Sequence, residues 1–231
     1  MAGTHPSRMS RTAPPVAAAG DDPAPERYSA ARRESRRRAF LEAAGVLFVE
    51  KGYGETSLAD VVKRSGGSLA TLYEFFGNKA GLFRALIDDR ASRITRTLSQ
   101  PEAEGRSVAA SLEALGRQLL ELLLEPEVIA VQRLVIAESA QFPELASMYF
   151  SAGPAAVHGH LRTYLAEQAR QGRLAIDDPA VAAEHFGGLV KGTCHVCALF
   201  GVPDGLTETE RRQRVARAVE AFLKLYAPRA R

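Results

Sequence analysis

The stretch TSLADVVKRSGGSLATLYEFFGNKAGLF (residues 56–83) constrains the fold more than any other part of the chain. Ser65-Gly66-Gly67 divides two short amphipathic segments, and a hydroxyl residue stands ready to cap each: Thr56 or Ser57 ahead of LADVVKRS, and Ser68 ahead of LATLYEFF. Helices this short are marginal alone, so they must share a core with a longer neighbour. Leu58, Val61, Val62, Leu72, Phe75, Phe76, Leu82, Phe83 and Leu86 supply it. Two short helices around a glycine turn, beside a longer one, are the ingredients of a helix-turn-helix. The second of them starts with Ser68, Leu69, Ala70 and Thr71, which suits a helix set end-first against a large, smooth, charged surface.

The long neighbour is expected over about 34–51, where Phe40, Ala44, Leu47 and Phe48 recur at helical steps and Gly52 stops the run. Asn78 should cap a fourth helix that reaches to near Gln100. Residues 1–30 hold five prolines and no apolar periodicity, and are expected to be a disordered tail. Helical patterns follow near 106–124, 126–140, 142–151, 154–171, 179–200 and 207–226, punctuated by prolines and Gly172. The expected architecture is all-α. A helix-turn-helix unit over 31–87 precedes a larger helical unit over 88–231 for effector binding and dimerisation.

Charge points the same way. Residues 31–84 carry ten Lys/Arg against six Asp/Glu, an excess of +4. Residues 85–231 carry 17 against 18, so the basic excess sits around the short helices. Such a patch is the electrostatic footprint of nucleic-acid contact, though a solvated helix face would look alike. Two cysteines give no disulfide framework, and no apolar run reaches the roughly 18 residues that span a bilayer. The N-terminus lacks the apolar stretch of a secretory leader, so a cytoplasmic protein with no membrane partner is expected.

The pattern over 52–87 resembles the DNA-binding domain of the tetracycline-repressor (TetR) family of bacterial regulators. Gly52-Tyr53, Thr56-Ser57, Asp60-Val61, Gly66, Ser68, Thr71-Leu72-Tyr73, Phe76, Lys79 and Leu82-Phe83 carry it. The segment 133–154 is similar to an AefR-like ligand domain. The resemblance implies a dimeric repressor that binds a palindromic DNA operator and is released by a small-molecule effector. It makes residues 68–75 the recognition helix in the major groove. Tyr73 and Lys79 would then hold phosphates, Thr56 and Ser57 would anchor the second helix to the DNA backbone, and Ser68, Leu69, Ala70, Thr71 and Glu74 would face base edges. Gly67 stands where the family usually has Val, Ala70 where Gly is frequent, and Glu74 where a neutral or basic residue is commoner. A loosened turn and a phosphate-repelling carboxylate are the expected consequences. Arg36 and Arg37, in the cluster from Arg32 to Arg38, would form a minor-groove or phosphate arm, or else a solvated helix face.

In the second half, Arg133 and Glu138 interrupt an apolar helix and must pair with each other or meet a ligand. Phe142, Tyr149 and Phe186 could wall an effector pocket or pack a core, and Cys194 is a further pocket candidate. The small residues of 181–200 and the Val215, Val219, Phe222, Tyr226 stripe suit a dimer bundle. Cys194-His195-x-Cys197 raises redox or metal sensing as an alternative, but two cysteines on one helix face commonly pack, and no second paired ligand set exists for a structural metal. No catalytic motif appears in strand context, so neither an enzyme nor a cofactor is expected; a helical enzyme stays as the rival class.

Overall fold

The computed structural model describes residues 25–98, 106–203 and 205–228, with side chains outside 25–28 and 93–98. Every regular element among them is a helix, as the periodicity requires. Helix α1 (Pro25–Lys51) starts well before the expected residue 34. Proline is tolerated in a first helical turn, and the Ala, Arg and Glu that follow are strong helix formers. The anticipated tail is therefore helical from residue 25; residues 1–24 lie outside the described part. Helix α1 ends where Gly52 takes φ +91° and donates its N–H to the Phe48 carbonyl.

Helices α2 (Leu58–Ser65) and α3 (Leu69–Phe76) form the expected pair. Ser57, not Thr56, caps α2: its hydroxyl accepts from the Asp60 N–H, while the Asp60 carboxylate accepts from the Ser57 N–H at 3.2 Å. The Ser57 N–H and the Ser57 hydroxyl, which also donates to the Asp60 carboxylate at 2.9 Å, hold the Asp60 carboxyl below its ordinary range. The turn between the helices needs glycine, since Gly66 and Gly67 have φ of +73° and +96°. A Cβ on Gly67 would also sit 3.1 Å from the Phe40 ring and 3.4 Å from Arg36 Cδ. The turn expected to be loosened by Gly67 is thus filled by α1 side chains. Asn78 caps α4 (Lys79–Leu98) through Gly81 N.

The remaining helices are α5 (Val108–Leu124), α6 (Pro126–Glu138), α7 (Pro143–Ala152), α8 (Pro154–Arg170), α9 (Pro179–Lys191), α10 (Cys194–Phe200) and α11 (Glu208–Tyr226). Four of them open on proline, whose missing N–H costs nothing there. The single helix expected over 179–200 is two, because Gly192 adopts φ +46° and any Cβ there would collide with the Arg214 guanidinium.

Two apolar cores organise these helices. The first gathers Phe40, Phe48, Val61, Leu72, Leu82 and Phe83 around ring contacts such as Phe48–Phe83, with centroids 5.8 Å apart. It does not stop at residue 87: Val131, Leu134 and Val135 of α6 and Leu145 of α7 belong to it. The second core lies wholly among α5 and α8–α11. Val215, Val219 and Phe222 are buried in it, so the stripe expected to meet a partner chain packs inside this one. No described helix is long and apolar enough to cross a membrane.

Candidate nucleic-acid interface and helical cavity

Helix α3 divides cleanly. Leu72 and Phe76 are buried and fix its angle against α1 and α4, while Ser68, Leu69, Ala70, Tyr73 and Glu74 are exposed and Thr71 is half-buried. Ser68 Oγ accepts from Thr71 N at 3.1 Å, which satisfies one free N–H of the first turn. Leu69 is 41% and Tyr73 52% exposed, unusual for large apolar side chains on a helix that already contributes to a core. The Tyr73 hydroxyl has no partner among the described residues. Ser57, exposed at the start of α2, also stands at the protein surface.

The basic cluster is not an extended arm, because Arg32 to Arg38 lie within α1. Arg33 donates to Glu74 at 2.9 Å and lies 5.1 Å from the Phe75 ring centroid. The carboxylate expected to repel phosphate therefore has a counter-charge, although exposed pairs of this kind contribute about 1 kcal/mol at most. Sequence spacing could not show a pairing that spans the turn between helices. Arg36 donates to the Ser65 carbonyl at the end of α2, and Arg37 lies over Phe76 with Glu34 at 3.9 Å. Both arginines brace the short helices as well as adding positive charge near them.

Two side chains expected at the DNA are engaged within the protein. Thr56 is 1% exposed, and its hydroxyl donates to the Gly52 and Leu47 carbonyls at 2.7 and 3.1 Å, so it holds the α1–α2 loop and cannot reach a phosphate. The Lys79 ammonium donates to the carbonyls of Tyr53, Gly54 and Thr56 at 2.8, 3.0 and 3.0 Å and lies 4.6 Å from the Tyr53 ring centroid. All three of its protons are used within the loop.

The same loop is gripped from the other half. Glu138, at the end of α6, accepts from Tyr53 N at 2.9 Å, and Phe142 meets the Tyr53 ring edge-on at 5.0 Å. Both residues were pocket candidates; both instead join the helical unit to the α1–α2 loop. Arg133 neither pairs with Glu138 nor enters a cavity. It is exposed and donates to the Ala198 and Leu199 carbonyls, satisfying the last turn of α10.

A cavity of about 760 Å³ lies among α4–α9, with His195 and Leu199 of α10 at its edge. Its wall is mainly apolar, and of the expected residues Tyr149 alone lines it. Phe186 is fully buried and Cys194 nearly so, both in the second core. Across the cavity wall runs a chain the sequence did not suggest: Gln132 donates to the Tyr149 hydroxyl at 2.9 Å and meets His195 Nε2 at 2.6 Å. Burial, then the charge of Lys191, lowers the His195 pKa, while burial raises that of the Tyr149 phenol. A second groove of about 880 Å³ between α1 and α4–α6 is rimmed by Glu42, Glu50, Glu121 and Glu127 and offers no comparable polar chain inside an apolar wall.

Comparison with known proteins agrees with this geometry. A family described as bacterial regulatory proteins, tetR family, matches residues 40–86. A second, described as AefR-like transcriptional repressor, C-terminal domain, matches 110–228. The HTH-type transcriptional repressor ComR of Escherichia coli is 43% identical over 77 residues, covering 33% of this chain and 37% of its own. The chain spans 37 to 49% of the length of the first curated relatives it matches. Among solved structures, the flavonoid-responsive regulator FrrA is 33% identical with a TM-score of 0.76, covering 84% of this chain and 98% of its own. A regulator from Mesorhizobium loti is 26% identical with a TM-score of 0.73, covering 85% and 98%.

Proposed function

Because the chain belongs to the TetR family of bacterial transcriptional regulators, with its helix-turn-helix DNA-binding unit, we propose that it is a repressor that binds a palindromic operator as a homodimer and lets go when a small molecule fills the cavity among α4–α9. Residues 31–87 act as the reading head and 88–231 as the effector and dimerisation unit, working in the bacterial cytoplasm. One observation supports the reading head above all: α3 keeps Leu69, Ala70 and Tyr73 exposed while Leu72 and Phe76 anchor it in a core. A helix offered in this way fits the major groove, with its N-terminal residues at base edges. Ser57 and Tyr73 are the contacts assigned to phosphate and Ser68, Leu69, Ala70 and Thr71 those assigned to bases, with Arg36 and Arg37 adding charge. Effector release draws support from the apolar cavity and from the flavonoid-responsive regulator FrrA, which shares the fold.

Selection of the purified protein on a random duplex pool tests this reading. The expected result is a palindrome with half-sites about one helical turn, roughly 34 Å, apart; a pool with no enriched motif would remove the base-reading role of α3. On the selected site, Tyr73→Phe should weaken every sequence alike, by about 1 kcal/mol or roughly fivefold, as one lost hydrogen bond does. Leu69→Ala or Thr71→Ala should change which sequences are retained. Competition binding against single-base variants reads both, and a uniform loss for the latter two would assign them to helix structure.

A further inference from the structure

The geometry points to an uncharged, largely apolar ligand that carries a carbonyl or ether oxygen, received in the α4–α9 cavity by the Tyr149 hydroxyl at the end of the Tyr149–Gln132–His195 chain. This rests on the reading of the cavity as the effector site and adds the chemical class of the effector.

The hydrogen bonds fix the direction of the chain. Gln132 Nε2 donates to the Tyr149 oxygen, so the Gln132 Oε1 is turned to His195. An amide oxygen only accepts, so His195 Nε2 carries a proton and donates it. The Tyr149 oxygen already accepts from Gln132, and its own O–H has no partner among the described residues. That leaves one donor, held in place by a rigid neighbour, for an acceptor on the ligand. His158 lines the same cavity, and its Nε2 is buried without a partner among the described residues. A buried polar atom without a partner costs free energy until something meets it.

Charge sets the rest. The imidazole of His195 is biased to its neutral form and the Tyr149 phenol to its protonated form, both by burial. The polar chain itself is therefore uncharged and suits an uncharged partner. Arg162, Glu184 and Lys191 also line the cavity but are exposed, and the half-buried Arg90 is engaged by Glu127, through its carboxylate at 3.7 Å and its carbonyl at 3.3 Å. The inner wall is built from groups such as Leu119, Leu123, Val131, Leu161 and Ala183, which reward apolar surface and reject sugars. A volume of about 760 Å³ fits a drug-sized molecule of several rings.

Calorimetric titration of the full chain, without DNA, tests the class directly. The probes are three uncharged ketones (4-hydroxybenzophenone, naringenin and progesterone), with palmitate as an anionic amphiphile and glucose as a polar control. At least one ketone should bind more tightly than about 0.1 mM. Tyr149→Phe should weaken it about tenfold, and Gln132→Leu should weaken it too while lowering the thermal midpoint, because the His195 N–H loses its acceptor. Palmitate binding with no ketone bound, no ketone bound below that limit, or ketone binding indifferent to both substitutions would each overturn the inference. Release of operator DNA is read separately by fluorescence anisotropy. A ketone that binds through Tyr149 and leaves DNA affinity unchanged would keep the ligand class and remove the repressor-release reading instead.

Discussion

Lys79→Ala should destabilise the protein by about 3 kcal/mol, measured by urea unfolding, and abolish specific DNA binding through the loss of the reading head rather than of a phosphate contact. The ammonium donates to three backbone carbonyls of the α1–α2 loop within 3.0 Å. Hydrogen bonds from a charged donor contribute roughly 1.5–3 kcal/mol each, less here because Lys79 is partly exposed and water can replace some of them. Lys79→Arg separates the two explanations. A phosphate clamp tolerates arginine, which binds phosphate well, whereas the pocket of three carbonyls suits a compact ammonium and not a planar fork. Arginine should therefore restore only part of the stability. If Lys79→Ala unfolds at the wild-type urea concentration yet binds DNA with a shallower salt dependence, the ammonium belongs on the DNA after all.

The example shows where sequence reading reaches and where it stops. Helix positions follow from local rules: glycines at positive φ, prolines in first turns and serine caps act within a few residues, so α2, α3 and α4 were legible with their caps. The burial of Leu72 and Phe76 was legible from the apolar pattern; the exposure of Leu69 and Tyr73, which share much of that side of the helix, was expected only through the family resemblance. What failed were partners chosen by tertiary geometry. Thr56 and Ser57 are adjacent hydroxyls with the same chemistry, and which one faces water depends on the path of α1 past the loop. Glu138 and Phe142 sit at the end of an apolar helix, where sequence alone suggests a pocket. Neither lines the cavity, whose Gln132–His195 bond joins residues 63 positions apart. Cys194 and Phe186 illustrate the converse: apolar character marks burial but does not say whether the burial is in a core or beside a ligand.

Glu138→Ala should uncouple the two halves. In the wild type its carboxylate is the acceptor for Tyr53 N, within a loop that Lys79 holds through the neighbouring carbonyls. Alanine leaves that partly buried N–H without its acceptor, at a cost of about 1–3 kcal/mol. On the proposed effector reading the contact would also take part in signalling. Helix α6 lines the cavity with Val131, Gln132, Val135 and Ile136, then ends at Glu138 against the loop that leads into α2. A ligand that shifts α6 would change the geometry of this grip and so link the cavity to the reading head; α4, which packs in the first core and also lines the cavity, offers a second route. The expected outcome is specific. Ketone binding to Glu138→Ala stays within about twofold of wild type, because the residue is outside the cavity, while the drop in DNA affinity caused by that ligand shrinks severalfold. Glu138→Gln retains an acceptor oxygen and should preserve most of the coupling. Paired titrations, ligand alone and ligand against operator-bound protein, measure it. An alanine variant that loses ligand affinity tenfold would return Glu138 to the pocket. One that binds both ligand and DNA as the wild type does, with coupling intact, would leave α4 as the sole mechanical link.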